Sequence, residues 1–230
     1  MNREFDSGMS TETSDQKNVV FDKIVLERRS HRQFKHEFPS QECLSKIIHA
    51  GLHAPFAAAA MFNTEDYFRR FFVLKKDSEN MIKAASLFFD EVKATSSNLK
   101  HAMENDPELS KKATGFANRL EMIQKMGKVP GVGTAPYFII VAEKKGFPPI
   151  EQQALAHCLE NMWLKATALG LGFQIVSITA QMADSPAFCK ILNIPPGEWA
   201  LMGCAVGYPV EELPHSIRPP VERVTYWLER

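Results

Sequence analysis

Four short apolar runs, separated by much longer amphipathic stretches, constrain the fold of this chain more than any other feature. The clearest run, residues 137–142, reads Tyr-Phe-Ile-Ile-Val-Ala and has the composition and length of a buried strand. The other runs are residues 71–74, 173–178 and 199–206. A sheet of so few strands must be covered by the intervening helices, so the sequence predicts an α+β or an α/β fold.

Helices are predicted wherever apolar residues recur three or four positions apart. They span residues 19–29, 40–52, two segments within 81–126, 151–169 and 186–192. Ser40 is a suitable N-cap, the polar residues 105–107 separate the two segments, and Gly170 can end the fifth helix. Residues 1–18 are polar and are predicted to form a mobile tail, which leaves residues 19–230 as one domain.

Charge and cysteine usage exclude several classes of protein. Lys and Arg together number 27, as do Asp and Glu, so the chain has no general attraction for nucleic acid or an anionic membrane. No apolar run approaches the roughly 18 residues of a membrane span, and the first residues do not resemble a signal peptide. The four cysteines are far apart and the histidines lack ligand spacing. We therefore expect reduced thiols, a cytoplasmic location and no metal site.

A local cluster of positive charge lies at residues 28–32, which read Arg-Arg-Ser-His-Arg. Guanidinium groups can each meet a phosphate with two charge-assisted hydrogen bonds, and the serine hydroxyl adds a donor. A solvated helix end with basic residues would give the same pattern. The cluster is thus an anion site or an ordinary helix terminus, and its composition alone favours the helix terminus.

Motifs for other chemistry are weak or missing from the sequence. Two Gly-x-Gly triplets, residues 131–133 and 170–172, do not join a strand to a helix as a dinucleotide-binding loop does. There is no Walker loop, no His-Glu-x-x-His and no Gly-x-Ser-x-Gly. These motifs therefore give no sign of a dinucleotide-binding loop, a P-loop, a zinc protease or a serine hydrolase.

The basic cluster and several later segments resemble the FMN-dependent nitroreductase family. Residues 28–34 are similar to its Arg-Arg-Ser-x-Arg-x-Phe opening. Residues 135–141, residues 166–172 and the Gly-Tyr-Pro at 207–209 follow in the family's order, and the likeness covers about residues 20–225. The resemblance implies an α+β, nitroreductase-like fold with a mainly antiparallel central sheet. It also implies an intertwined homodimer with FMN at the interface between the two chains.

The same resemblance assigns the cofactor-binding residues. It implies contacts of the FMN phosphate and ribityl chain with Arg28, Ser30 and Arg32, with Arg29 beside them. It also implies that Arg218 reaches the same phosphate. It lays the backbone of Ile175, Val176 and Ser177 along the isoalloxazine edge, where an N–H group could donate to the flavin. It also brings Pro55, Phe56 and Ala57 beside the ring.

Two stretches depart from the family pattern. Residues 57–60 are all alanine where the family supplies Asn and Gln to the flavin, and Asn63 could compensate only along a different chain path. Phe56 and Phe62 could form walls of an aromatic-lined pocket or belong to the core. Residues 78–130 are a helical elaboration, interpreted as a possible lid over the pocket or as a surface or dimer contact.

The function implied by the resemblance is transfer of electrons from NADH or NADPH, through FMN, to a flat acceptor such as a nitroaromatic or a quinone. The flavin would carry the chemistry, so the lack of a catalytic dyad is expected. Two alternatives stay open: a non-catalytic protein of the same fold that binds flavin or another phosphorylated ligand, and a helical interaction protein. The expected partners are a second copy of the chain and a small-molecule acceptor.

Overall fold

The computed structural model describes residues 13–56 and 67–228. These residues form six α-helices and four strands. In chain order they are α1 (Ser14–Glu27), α2 (Gln41–Leu52), β1 (Arg69–Lys75), α3 (Glu79–Asn105), α4 (Pro107–Met126), β2 (Tyr137–Lys144), α5 (Glu151–Ala168), β3 (Gly172–Val176), α6 (Pro186–Leu192) and β4 (Trp199–Gly207). A 3₁₀ segment, Ser177–Asp184, follows β3.

The four strands form one sheet in the order β1-β2-β4-β3, and every neighbouring pair is antiparallel. The predicted antiparallel α+β architecture is therefore confirmed, and the α/β alternative is wrong. An α/β fold would need parallel strands joined by helical crossovers. Here the central pair β2 and β4 is antiparallel although α5, β3 and α6 lie between them in sequence.

The core is divided into two layers by the sheet. On β2, Phe138 and Ile140 pack with α3, α4 and α6, whereas Ile139 and Val141 pack with α2 and α5. Successive side chains of a strand point to opposite faces, so a strand covered on both sides needs apolar residues at every position. This explains why β2 is a continuous apolar run rather than an alternating one.

Helix α1 begins earlier than periodicity predicted. The Thr13 hydroxyl accepts from the Gln16 backbone N–H while the Gln16 side chain accepts from the Thr13 N–H, which is a capping box. The capping box starts the helix at Ser14, so residues 14–18 are helical and the expected tail boundary at residue 18 falls inside α1. No residue of α1 is buried within this chain, which leaves Val19, Phe21 and Leu26 exposed.

Helices α3 and α4 form the elaboration expected at residues 78–130. They are separated at Asp106, whose carboxylate accepts from the Leu109 N–H, and Pro107 occupies the first turn of α4. An ion pair of 2.8 Å between Lys100 and Glu121 joins the two helices. The break predicted at residues 105–107 is thus confirmed, and the lid interpretation, which concerns movement, stays a prediction.

Strand β3 ends earlier than predicted. Its last residue is Val176, and Ser177 and Ile178 belong to the 3₁₀ segment rather than to the strand. The Thr179 hydroxyl donates to the Val176 carbonyl at 2.7 Å, which turns the chain at this point. Such a local side-chain hydrogen bond competes with strand pairing. The apolar residues from which the strand was predicted give no sign of it.

The C-terminal arm, residues 208–228, leaves the sheet as an extended segment. Six large apolar side chains on it are exposed in the single chain, from 58% to 95%: Ile217, Val221, Val224, Tyr226, Trp227 and Leu228. Exposed apolar side chains concentrated in one segment, rather than scattered singly, are typical of interaction surfaces. Among the residues described, no helix combines the length and apolar content needed to cross a membrane.

Candidate functional site

A cavity of about 420 Å³ opens between the end of β3 and the pair α3–α4. Its volume lies within the range of about 300–1,000 Å³ that is usual for small-molecule sites. One wall contains Gln174, Ile175, Val176 and Ser177, and the opposite wall contains Val92, Thr95, Phe116, Arg119, Leu120 and Ile123. Arg32 from the basic cluster also lines the cavity, as do Val129, Pro130, Ile178, Ala180 and Gln181.

Backbone pairing along the edge of β3 delivers Arg32 to this cavity. Ser30 forms a parallel bridge with Phe173, and the His31 N–H donates to the Phe173 carbonyl at 3.1 Å. Gly172 allows this approach, because a Cβ atom there would lie only 2.9 Å from His31 Cβ. The stretch after α1 therefore lies beside the sheet in extended form and is not a solvated helix end.

Arg28 is bound to the protein rather than directed into the cavity. Its Nε lies 3.3 Å from Glu160 Oε1, and its guanidinium lies 4.3 Å from the centroid of the Trp163 ring. The Trp163 indole N–H donates to the Arg29 carbonyl at 3.1 Å. Helix α5 therefore binds the backbone of Arg29 as well as the side chain of Arg28.

Arg29 instead holds the C-terminal arm. Its Nε donates to the Pro214 carbonyl at 2.8 Å, and its Nη2 lies 3.2 Å from His215 Nδ1. Arg29 and His31 line a second cleft of about 330 Å³, away from Arg32. Alternate residues of an extended segment point to the same side, which is why the five clustered residues do not converge on one site within a single chain.

The pKa of His31 is lowered by burial and by the neighbouring charge of Arg29, while Glu211 opposes the shift. Between this lowered pKa and the ordinary value near 6.5, the unfolded chain binds more protons than the folded one. Acidification through the ordinary histidine range should therefore reduce the stability of the fold.

We expect His31→Asn to lose less stability than the parent protein when urea unfolding is measured from about pH 7.5 to about pH 5.5. Equal pH dependence in the two proteins would contradict this.

The remaining predicted site residues fall into four groups. Ile175, Val176 and Ser177 line the same cavity as Arg32. Pro55 and Phe56 do not line it, and the Phe56 ring packs 4.4 Å from the Phe68 ring, between centroids. Arg218 is exposed on the C-terminal arm, where its Nη1 donates to the Ile217 carbonyl. Ala57, Phe62, Asn63 and the whole run 57–60 lie outside the described residues.

Polar groups around the cavity are unevenly satisfied. Gln174 is buried and its amide nitrogen donates to the Pro130 carbonyl at 3.2 Å, but its Oε1 has no hydrogen-bond partner among the described residues. A buried acceptor without a donor is costly and usually indicates a missing ligand or water. Of the residues that line the cavity, Arg32 and Arg119 are charged and none is acidic. The cavity thus offers positive charge and one buried acceptor.

The possible lid at residues 78–130 includes α4, but sequence reasoning identified none of the α4 side chains that line this cavity. Phe116 shares the apolar periodicity of the second helical segment predicted within residues 81–126, yet it is 54% exposed at the cavity. Helical periodicity identifies which residues share a face, but not whether another element covers that face. Arg119 and Gln174 carried no motif at all, and only the packing of α4 against the end of β3 brings them to one cavity.

Two of the four cysteines, Cys158 and Cys204, are too deeply buried to supply a nucleophile. Burial raises the pKa of Cys158 to about 12 and raises that of Cys204 well above its ordinary value. A thiol reacts as the thiolate, so these two side chains are inert apolar groups. The described residues contain no group of three or more His, Cys, Asp or Glu that could hold a metal ion.

Comparisons with known proteins agree with this architecture. The family model described as Nitroreductase family matches residues 25–208. A nitroreductase from Desulfitobacterium hafniense DCB-2, solved with bound FMN, is 21% identical with a TM-score of 0.62, and the match covers 90% of this chain and 98% of that one. A search of curated proteins gave no significant match.

Two further solved structures show that the fold supports different activities. A BluB-like flavoprotein from Clostridium difficile 630 is 21% identical with a TM-score of 0.65, covering 90% of this chain and 98% of that one. An oxidized iodotyrosine deiodinase bound to FMN and 3-iodo-L-tyrosine is 20% identical with a TM-score of 0.61, covering 87% and 96%. At these identities the likeness establishes the fold alone. The family match spans most of the sequence, and the chain therefore belongs to the nitroreductase family.

Proposed function

We propose that this protein is an FMN-dependent oxidoreductase that takes electrons from NADH or NADPH and passes them to a flat acceptor such as a nitroaromatic or a quinone. The observation that carries the proposal is the cavity where Arg32 and residues 175–177 converge in a chain of this family. Solved relatives of the same fold contain FMN, which supports the same cofactor here.

The residues around the cavity fit a flavin. The isoalloxazine ring system carries an imide N–H, and the buried Gln174 Oε1 is an acceptor without a donor. Arg32 supplies a permanent positive charge for the anionic parts of the cofactor, and no acidic side chain in the lining opposes it. When bound, FMN would supply the electron-transfer chemistry that the side chains of this cavity lack.

The contribution of the protein would be binding, orientation and exclusion of water. The backbone of residues 175–177 offers polar groups along one wall, and Leu120, Ile123 and Val92 form an apolar wall opposite. Such a cavity favours a flat ligand held between apolar side chains with a few polar contacts. Arg32 and Ser177 are exposed at its rim, where substrate can approach.

The homodimer is part of the proposal. Exposed apolar side chains on α1 and on the C-terminal arm are too numerous for a stable monomer surface. A second copy that covers the arm would bury side chains that are 82% and 90% exposed at Trp227 and Leu228. The resemblance implies that Arg218 reaches the FMN phosphate, and in the dimer the arm that carries it would lie at the interface. FMN binding and dimerisation should therefore depend on each other.

The visible absorbance spectrum of the purified protein, followed by anaerobic addition of NADH and then NADPH, tests the proposal. A yellow protein whose flavin is bleached rapidly by either nucleotide would support a reductase. A flavin that is bleached only by a chemical reductant would favour the non-catalytic binding protein. A colourless protein that also takes up no added FMN would overturn both.

Arg32→Ala should reduce the affinity for FMN by about tenfold to a hundredfold, because a charge-assisted hydrogen bond is lost. Fluorescence titration of FMN into apoprotein measures this. Lys125 is an exposed residue of α4 that does not line the cavity. Lys125→Ala should therefore leave the affinity for FMN within about twofold of the parent value. Equal affinities for the Arg32 variant and the Lys125 control would remove Arg32 from the cofactor site.

A further inference from the structure

We propose that Arg119 on α4 binds an anionic group, specifically the carboxylate of an aromatic acceptor. This inference rests on the proposed function and names the substrate class of the same cavity. Its basis is the second positive charge of the cavity, which the flavin assignment does not use. Arg32 is assigned to the cofactor, whereas Arg119 lies on the opposite wall.

The charge of Arg119 is not neutralised by the protein. No ion pair or hydrogen bond of its guanidinium occurs among the described residues, and the residues three and four positions away on α4 are Gly115, Phe116, Met122 and Ile123. The acidic residues of α4 are engaged elsewhere, since Glu121 pairs with Lys100 at 2.8 Å and Glu108 with Lys112 at 4.0 Å. Arg119 is therefore an available cation beside the cavity.

The surroundings of Arg119 favour an aromatic anion. Phe116, one helical turn earlier, presents a half-exposed ring to the same cavity. The guanidinium can bind a carboxylate through two parallel hydrogen bonds, while the ring packs against a flat ligand. Low-dielectric walls without acidic residues strengthen the attraction for an anion. Glu91 accepts from the Thr95 hydroxyl at 3.2 Å but does not itself line the cavity.

The phosphates of a nicotinamide dinucleotide could use the same guanidinium, because they are also anions. The two sources differ in the stage of the reaction at which they bind. The dinucleotide reacts with the oxidised protein, whereas the acceptor reacts with the protein whose flavin has been reduced. Separate measurement of the two half-reactions thus distinguishes them.

The test compares 4-nitrobenzoate with 4-nitrobenzamide, which has nearly the same shape but no charge. FMN-loaded protein is reduced anaerobically, and its reoxidation is followed by stopped flow at increasing acceptor concentration. The concentration dependence gives a Kd for each acceptor. Binding of each compound to the oxidised FMN-loaded protein, followed by the change in the flavin spectrum, provides a readout independent of turnover.

We expect the parent protein to bind the carboxylate more tightly than the amide, so that the Kd for the amide divided by the Kd for the carboxylate is greater than one. Arg119→Gln should reduce this ratio by about tenfold. Arg119→Lys should retain part of the ratio, because it keeps the charge but loses the planar pair of donors. Lys125→Gln on the same helix should not change it. Added salt should lower the ratio in the parent protein and have little effect in Arg119→Gln.

Two results would overturn the assignment while leaving the proposed function intact. One is a ratio that is the same in Arg119→Gln and in the parent. The other is a variant in which the ratio is again unchanged but the Kd for NADH or NADPH in the reductive half-reaction rises. The first result alone removes Arg119 from acceptor binding, and the second also assigns it to the dinucleotide. A protein that takes up no FMN would overturn the proposed function and this inference together.

Discussion

Replacing Arg69 by Met should destabilise the fold by about 3–5 kcal/mol, because it leaves a buried carboxylate without its partner. Arg69 and Glu143 are each only 2% exposed and lie opposite one another on β1 and β2. The Arg69 Nε donates to Glu143 Oε1 at 2.5 Å, and its Nη1 donates to the Gly51 carbonyl at 2.7 Å. The pair thus connects the edge of the sheet to the end of α2.

The pH dependence of this variant follows from the same pair. Burial raises the pKa of Glu143, and Arg69 opposes that shift, so loss of Arg69 should raise the pKa further. A folded-state pKa above the unfolded value means that the folded state binds more protons in that interval. The stability of Arg69→Met should therefore fall as pH rises from the ordinary glutamate range towards neutrality, more steeply than that of the parent.

Urea unfolding of Arg69→Met and of the double variant Arg69→Met/Glu143→Leu measures both effects. The double variant should recover most of the lost stability, since neither buried charge then remains. Lys83→Met, which breaks an exposed pair with Glu79 on α3, is the matched control and should cost well under about 1 kcal/mol. A loss in Arg69→Met as small as in this control would show that the buried pair does not need both partners.

Removing the C-terminal arm after Ser216 should abolish dimerisation and, with it, FMN binding. The truncation keeps the contacts of Pro214 and His215 with Arg29 but removes Arg218 and the six exposed apolar side chains of the arm. Full burial of one such side chain contributes about 1.5–3 kcal/mol. Loss of several should therefore weaken dimerisation by more than about a thousandfold.

Analytical ultracentrifugation and the flavin content of the purified truncated protein measure this prediction. Deletion of residues 1–12, the first part of the predicted tail, serves as the control and should change neither property. Arg218→Ala in the full chain separates the two roles of the arm: we expect a dimer with weakened FMN binding. A truncated protein that remains dimeric and fully loaded with flavin would contradict both the interface and the phosphate assignment.

The sequence by itself predicted most of the helices and strands and narrowed the fold to α+β or α/β, while the antiparallel pairing decided between the two. The run at 137–142 predicted β2, Ser40 predicted the start of α2, and the Asp106–Pro107 break separated α3 from α4. These features depend on interactions within a few residues, such as capping, turn formation and hydrophobic periodicity. The order of motifs from the basic cluster to residues 207–209 was also sufficient to identify the family, which the family match confirms.

Only the tertiary structure decided which side chains share a cavity. The three arginines at 28, 29 and 32 look equivalent in sequence, yet each has a different role. Pairing with β3 directs Arg32 to the cavity, while Arg29 contacts the C-terminal arm and Arg28 contacts Glu160. Arg119 and Gln174 are 55 positions apart in sequence and converge only because α4 packs beside the end of β3. Contacts between distant residues depend on how whole elements pack, and local sequence patterns carry no information about that packing.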